Sequence, residues 1–189
     1  MTTKGSQCSD GEIAKRVLAG DQAAFGHIVA RHKQALHRIV TRLIGDETEA
    51  VDLVQETFLA AYSALARYDP DRPMRSWLTR IAVNKARDWR RRGVVRRWIS
   101  WVIPIEGIDV ADDVPGMDVV ASDRSELRRV ENAIARLPRS ASEVLVLRTV
   151  EELSQAETAR ILGLSEKAVE ARLYRARQKL KDELRRKRP

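Results

Sequence analysis

One segment, residues 153–173, constrains the fold more than any other. It reads LSQAETARILGLSEKAVEARL, and its Ser154 is followed three residues later by Glu157. This spacing is typical of a capping box, which opens a helix. Gly163 is expected to end that helix, because glycine adopts a left-handed conformation at little cost. Ser165 can then cap a second helix, so the segment predicts two helices that cross at a tight turn, as in a helix-turn-helix.

Apolar residues in this segment are spaced so that the two helices can pack together. They are Ala159, Ile161, Leu162, Leu164, Val169 and Leu173. A helix-turn-helix places its second helix in the major groove of DNA. A helical hairpin with a solvated charged face is the simpler alternative, but the caps, the glycine and the apolar spacing together favour the helix-turn-helix.

The second of these helices has a polar and largely basic outer face. The face carries Ser165, Glu166, Lys167, Glu170, Arg172, Arg175, Arg177 and Lys179. Arginine and lysine bind guanine edges or phosphates, and a helix N-terminus also binds phosphate. We therefore expect this face to contact DNA.

The remaining sequence also has helical periodicity, and no stretch alternates as a strand does. Asp21 and Asp46 are placed to cap helices, and Gly45 is placed to end one. Ser140 and Glu143 form another capping-box pattern, which predicts a helix over residues 144–150. A long helix is expected from Met74 to about residue 92. The predicted fold class is all-α.

An acidic stretch rich in proline and glycine, residues 104–126, interrupts the helical pattern. Such a composition is typical of an extended connection between domains. We expect two small helical domains, residues 10–97 and residues 122–186, joined by a flexible acidic linker over residues 98–121. The C-terminal domain is the one that carries the helix-turn-helix.

Charge and cysteine content limit the classes of function. The formal net charge of +8 over 189 residues favours an anionic partner, either nucleic acid or an anionic membrane surface. The single cysteine, Cys8, excludes a disulfide within the chain and a zinc site built from thiolates. No signal peptide or membrane-spanning stretch is visible, so we expect a cytoplasmic protein without stable membrane insertion.

No pattern of catalytic residues is visible either. His27, His32 and His37 follow one another at five-residue intervals on one predicted helix, which places them on different faces. There is no nucleophile triad, glycine-rich phosphate loop or zinc pattern. We expect no metal, no cofactor and no enzymatic activity.

The predicted helix over residues 50–62 carries a polar face beside apolar residues. Asp52, Gln55, Glu56 and Leu59 follow the i, i+3, i+4, i+7 spacing of one face. Such a face suits a coiled-coil partner, with carboxylates pairing with arginines while Phe58 and Leu59 supply buried area. The alternatives are a solvated acidic face beside a core stripe, or a metal-dependent nuclease site that would also use Glu49.

Aromatic, amide and basic residues follow one another in the sequence after the turn at residues 68–73, which contains two prolines. The spacing of Trp77, Leu78 and Ile81 is that of core residues rather than DNA-stacking groups. Asn84 can offer a donor and an acceptor to a base edge, and a residue bonded to the helix backbone is the alternative. The cations that follow are expected to contact phosphate: Lys85, Arg87, Arg90, Arg91 and Arg92.

Three of these stretches resemble, in the same order, the motifs of extracytoplasmic-function (ECF) sigma factors. Residues 50–62, AVDLVQETFLAAY, resemble the polymerase-binding helix of that family, and residues 75–91, RSWLTRIAVNKARDWRR, resemble its promoter-melting helix. Residues 141–148, ASEVLVLR, together with the helix-turn-helix, resemble its region 4. Trp98 and Trp101 depart from the family pattern. They either form an amphipathic patch with Arg96 and Arg97 or extend the helix, and we favour the extension.

The resemblance implies a division of labour between the two domains. Region 2 binds the clamp helices of the largest subunit of core RNA polymerase and opens the minus-ten element of the promoter. Region 4 reads the minus-thirty-five element, and the linker threads into the polymerase. The implied partners are core RNA polymerase, promoter DNA as upstream duplex and unstacked non-template strand, and an anti-sigma factor. A role in stress response is also implied.

The resemblance also implies roles for individual residues. The polymerase-binding residues are Asp52, Gln55, Glu56, Phe58 and Leu59. The minus-ten residues are Arg72, Arg75, Arg80, Asn84, Lys85, Arg87 and Arg91. The minus-thirty-five residues are Ser165, Lys167, Glu170, Ala171, Arg172, Arg175 and Arg177. A stand-alone helix-turn-helix regulator is the rival function, and it leaves the first two motifs unexplained.

Overall fold

The computed structural model describes residues 8–102 and 122–186, with the backbone alone at 94–102, 122–126, 128 and 186. The N-terminal half, residues 8–102, contains α1 (Asp10–Leu18), α2 (Phe25–Ile44), α3 (Glu47–Ser63) and α4 (Met74–Val102). The C-terminal half, residues 122–186, contains α5 (Ser122–Arg136), α6 (Arg139–Leu145), α7 (Gln155–Leu162) and α8 (Glu166–Arg186). Short 3-10 turns lie at Gln22–Ala24 and Leu65–Arg67, and a π-turn at Val146–Val150 continues α6. The all-α prediction is confirmed.

The N-terminal half is built on α2, α3 and α4, which pack against one another around a common core. Ile28, Leu36, Ile39 and Leu78 are almost completely buried there. Trp77 and Ile81 pack against the core while half-buried, which confirms the expectation that they are core residues.

Local signals set the boundaries of these helices. Gly45 has a left-handed φ of 77° and ends α2, as predicted. Asp46 then caps α3, because its side chain accepts a hydrogen bond from the backbone N–H of Glu49 at 3.0 Å. α4 continues to Val102, ten residues beyond the predicted end at 92, and Gly93 lies inside it. The side chains of Trp98 and Trp101 lie outside the described residues.

The helix-turn-helix has the predicted local geometry. Ser154 and Glu157 form a complete capping box at the start of α7, and these hydrogen bonds lower the pKa of the Glu157 carboxyl. Gly163 has a φ of 68° and ends α7, while Ser165 caps α8 by accepting from the N–H of Ala168 at 3.2 Å.

The capping box predicted from Ser140 and Glu143 is wrong. α6 begins at Arg139 directly after Pro138, and no side chain caps it. The fixed φ of proline suits a helix start. Glu143 therefore lies inside the helix, and its carboxylate binds Arg87 of the N-terminal half instead.

The two halves pack against each other. α2 contacts α5, α6 and the π-turn, and α4 contacts α7. None of the described helices combines the length and the apolar character needed to cross a membrane.

Candidate functional site

The outer face of α8 is presented to solvent. Val169 and Ala176 are completely buried and hold the inner face of α8 against the core. Gln155 of α7 joins the two helices by donating from Nε2 to the backbone oxygen of Glu166 at 3.0 Å. Of the minus-thirty-five candidates, Arg172 is half-buried and six are exposed: Ser165, Lys167, Glu170, Ala171, Arg175 and Arg177. The structure therefore brings all of them together on one helix.

A second exposed surface lies on α3. Asp52, Gln55 and Leu59 are exposed, and Leu59 leaves 68% of its surface in contact with solvent. Tyr62, three residues further along α3, is also exposed at 37%, and exposed apolar side chains that lie near one another are a feature of interaction surfaces. Glu56 is half-buried and accepts a hydrogen bond from Nζ of Lys85 on α4 at 2.9 Å.

Phe58, which was expected to supply apolar area to this surface, adds little exposed area to it. Its ring is only 7% exposed and meets Phe25 edge-on, with ring centroids 6.4 Å apart. Phe58 lines instead an open groove of about 540 Å³ between α2 and α3, whose walls include Val29, Val54 and Gln55. The sequence pattern missed this groove because two helices build it together.

The minus-ten candidates lie in the turn before α4 and along its exposed side. Asn84, Arg72, Arg80 and Arg91 are exposed, whereas Arg75, Lys85 and Arg87 are half-buried. Several of these cations already have carboxylate partners in their own half. Arg72 pairs with Asp69 at 3.0 Å, Lys85 pairs with Glu56, and Arg91 pairs with Asp88.

The turn itself is held in place by Tyr68. Its hydroxyl donates to the backbone oxygen of Arg72 at 2.6 Å, and its ring lies 5.2 Å from that of Trp77. Burial raises the pKa of the Tyr68 hydroxyl, which favours the protonated form that donates this hydrogen bond.

Asn84 is bonded to a side chain and not to the helix backbone. Its Oδ1 accepts from Nη1 of Arg87 at 3.2 Å, and the residue is exposed. The alternative of a backbone-bonded asparagine is therefore wrong, and its amide group faces outward.

Two of the minus-ten candidates, Arg75 and Arg87, bind carboxylates of the C-terminal half. Arg87 donates from Nε and Nη2 to the two oxygens of Glu143, each at 2.7 Å, and this pairing raises the pKa of Arg87. Arg75 donates from Nη2 to Oε2 of Glu151 at 2.8 Å. No sequence pattern indicates these pairs, because they join residues that are distant along the chain.

The metal-site alternative has no support among the described residues. Glu49 accepts from Nε1 of Trp89 at 2.7 Å, and Glu56 is engaged by Lys85. No group of three or more histidine, cysteine, aspartate or glutamate side chains in the described residues has the geometry to hold a metal ion.

Comparisons with known proteins match both halves of the chain to one family. Residues 28–99 match the family described as Sigma-70 region 2, and residues 127–180 match Sigma-70, region 4. The RNA polymerase sigma factor CnrH of Cupriavidus metallidurans is 42% identical over 176 residues, covering 91% of this chain and 92% of that protein. The ECF RNA polymerase sigma factor SigW of Bacillus subtilis is 34% identical over 178 residues, covering 90% of this chain and 94% of that protein.

A solved structure has the same fold over nearly the whole chain. It is CnrH in complex with the cytosolic domain of CnrY, with a TM-score of 0.70 and 38% identity, covering 95% of this chain and 99% of that one. The two family matches, the extent of the identity and the shared fold lead to one conclusion: the chain belongs to the extracytoplasmic-function sigma factors of the sigma-70 family.

Proposed function

We propose that this protein is a non-enzymatic subunit of RNA polymerase that binds the core enzyme and directs it to specific promoters. The observation that carries the proposal is that one small chain combines two separate exposed surfaces. One is the α3 face around Leu59, which suits a protein partner, and the other is the basic face of α8, which suits duplex DNA. A stand-alone regulator has no use for the first surface.

The proposed division of labour, which the family resemblance implies, assigns one role to each half of the chain. Region 2, in the N-terminal half, binds the polymerase through Asp52, Gln55 and Leu59 and recognises the minus-ten element through α4 and the turn before it. Region 4, in the C-terminal half, binds the minus-thirty-five element through α8. These roles place the protein in the cytoplasm, where core polymerase acts.

An anti-sigma factor is part of the same proposal. The similar structure of CnrH contains the cytosolic domain of CnrY. The groove between α2 and α3 and the exposed Leu59 offer apolar area for a protein ligand of this kind. We infer that this sigma factor is likewise kept from polymerase by a protein partner until a stress signal releases it.

Reconstituted transcription tests the proposed function. Core RNA polymerase mixed with the purified protein should produce run-off transcripts from specific genomic fragments, and core enzyme alone should not. The protein alone should bind the same fragments weakly, because two modest contacts become strong only when a scaffold holds both at the right spacing. Tight, sequence-specific duplex binding by the protein alone, without polymerase-dependent transcripts, would instead identify a stand-alone regulator.

Substitutions on α8 should divide into two classes. Changes at Lys167, Glu170 or Ala171 should alter which upstream sequence is preferred, because these exposed side chains lie near the N-terminal end of α8. Replacing Arg175 or Arg177 by glutamine should weaken binding to all DNA sequences equally. Each replacement should also lower the slope of log affinity against log salt concentration by roughly one unit, as expected for phosphate contacts. Binding to a panel of duplexes at several salt concentrations measures both effects. If every α8 substitution weakened binding to all duplexes to the same extent, α8 would position the protein without reading the sequence.

A further inference from the structure

The turn at residues 68–73, which belongs to the minus-ten site in the proposed function, projects from the fold between two buried side chains. Tyr68 and Met74 are buried at its ends, whereas residues 69–73 are exposed. The Tyr68 hydroxyl donates to the backbone oxygen of Arg72 at 2.6 Å, and two further hydrogen bonds join residues within the turn. These bonds fix the shape of the turn, so its position depends on the element that packs against it.

The N-terminal helix α1 packs against this turn. A Cβ placed on Gly11, the second residue of α1, would lie 3.5 Å from Cβ of Pro70 and 3.8 Å from its backbone oxygen. An alanine would therefore just fill the space. A valine would crowd Pro70, because it carries two methyl groups on Cβ and is confined to few rotamers in a helix. α1 also contacts the 3-10 turn Leu65–Arg67, which leads directly into residue 68.

α1 is itself anchored at the same end by Asp10. The Asp10 carboxylate accepts from Nη1 of Arg31 at 2.8 Å and lies 2.8 Å from Nε2 of His32, and both partners belong to α2. Burial disfavours the ionised carboxylate, but the hydrogen bonds with Arg31 and His32 outweigh it, so the pKa of Asp10 is lowered. A capping box of Ser9 and Glu12 begins the helix at this point, which fixes the start of α1 beside the turn.

Two further observations connect α1 with the turn. Ile13, Ala14 and Val17 are buried in the core, so α1 is an integral part of the N-terminal half. Burial is the main cause of the raised pKa of the Tyr68 hydroxyl, and the negative charge of Asp10 adds to it. α1 ends at residue 18 and the match to Sigma-70 region 2 begins at residue 28, so that match assigns α1 no role.

We propose that α1 positions the minus-ten turn: Asp10 holds the start of the helix on α2, and Gly11 then fixes Pro70 where the turn can hold a base of the melted strand. Gly11 and Asp10 are positioning residues, because they act through the turn. The inference rests on the proposed function, since it takes the turn as part of the minus-ten site. Contacts with an extruded base must offset the cost of unstacking it, so a displaced turn should lose affinity for that base.

Hydrogen exchange tests the contact in the full chain, without DNA or polymerase. The backbone amides of residues 68–76 should exchange about fivefold faster in Gly11→Val, because the larger side chain pushes against Pro70. They should also exchange faster in Asp10→Ala, because α1 loses its anchor on α2. Gly11→Ala should keep the parent rate, since its Cβ only reaches contact distance. Mass spectrometry of peptic fragments measures the rates, and thermal unfolding verifies the fold.

Matched controls make the same chemical changes away from the turn. Gly26→Val alters the second residue of another helix, α2, where nothing lies within 4 Å of the new Cβ. Asp21→Ala removes an aspartate–arginine pair, formed with Arg16 at 2.6 Å, near the other end of α1. Both controls should leave exchange over residues 68–76 at the parent rate. Parent rates in both test variants would overturn the proposal, and Asp10→Ala decides alone if Gly11→Val does not fold.

The role in promoter recognition is tested with holoenzyme assembled from core polymerase and a saturating amount of each variant. The probe is a single-stranded oligonucleotide with the non-template minus-ten sequence of a promoter found by run-off transcription. Its affinity should fall about tenfold in Gly11→Val, which corresponds to about 1.4 kcal/mol. The affinity should stay at the parent value in Gly11→Ala and Gly26→Val. Binding to the upstream duplex should be the same for all of these proteins.

An abasic site moved along the oligonucleotide distinguishes positioning from a general loss of structure. In the parent, the abasic site that weakens binding most marks the base that the turn holds. In Gly11→Val the same abasic site should weaken binding about tenfold less, because that base is no longer held. Equal effects of the abasic site in both proteins would reject the positioning role. Parent-like oligonucleotide affinity in a variant with fast exchange would reject it as well.

The outcomes separate this inference from the proposed function. If transcription with the parent is intact and Gly11→Val behaves like the parent on the oligonucleotide, the positioning role is rejected and the sigma function stands. If the parent forms no complex with core polymerase, the proposed function is rejected together with the use of the turn on DNA. Hydrogen exchange would then still show whether α1 holds the turn in place.

Discussion

Replacing Leu59 and Asp52 together by arginine should abolish binding to core RNA polymerase while leaving the fold intact. Leu59 is 68% exposed and Asp52 is also exposed, so neither side chain supports the core. If Leu59 is the apolar anchor of the interface and Asp52 pairs with an arginine of the clamp, the double change removes an anchor and reverses a charge. Hot-spot residues at interface centres contribute about 2 kcal/mol or more each, so we expect the loss of two such contacts to weaken binding by about 100-fold or more.

Binding to immobilised core enzyme and run-off transcription measure this effect, and thermal unfolding verifies the fold. The control is Leu18→Arg combined with Asp182→Arg, which makes the same chemical changes elsewhere. Leu18 is 56% exposed on α1, and Asp182 is exposed near the end of α8. If the control double variant loses polymerase binding to the same extent, the α3 face is not the binding surface.

The structure shows why Glu56 is a poorer choice for this experiment, although the sequence places it on the same face. Glu56 binds Nζ of Lys85 on α4 at 2.9 Å. Reversing its charge would set two cations against each other and disturb the minus-ten helix as well. Asp52 and Leu59 are both exposed, so their substitution tests the proposed polymerase surface with less effect on the rest of the fold.

Features with a local physical cause could be predicted from the sequence. The capping box of Ser154 and Glu157 and the left-handed Gly163 need only neighbouring residues to form. The same holds for Gly45 and Asp46, which end α2 and begin α3. For that reason the helical fold and the position of the helix-turn-helix followed from the pattern.

Features that depend on distant residues could not be predicted in this way. Glu143 fits a capping-box pattern with Ser140, but Arg87, which lies far away in the sequence, gives it a better partner. Phe58 is adjacent to Leu59, yet a step of about 100° around the helix moves its ring into the core. Glu151 belongs to no recognisable sequence motif, and its burial against Arg75 depends on how the two halves pack.

Replacing Asn84 by alanine should reduce promoter opening by about 10- to 100-fold while polymerase binding stays unchanged. Asn84 is exposed on α4, and Arg87 uses only its Oδ1, at 3.2 Å. Its amide N–H groups can therefore meet the edge of an unstacked base. A good base contact is worth about 1–3 kcal/mol. Contacts with the protein must offset the cost of unstacking the base, which is a few kcal/mol.

Permanganate reactivity of unpaired thymines in the minus-ten element measures the open complex directly. Asn132→Ala is the matched control, because Asn132 is also an exposed asparagine on a helix, α5, and its replacement makes the same change in side chain and helix propensity. Reactivity should fall for Asn84→Ala and stay the same for Asn132→Ala, with equal amounts of each protein bound to polymerase. An undiminished bubble in Asn84→Ala would mean that its amide does not touch the melted strand.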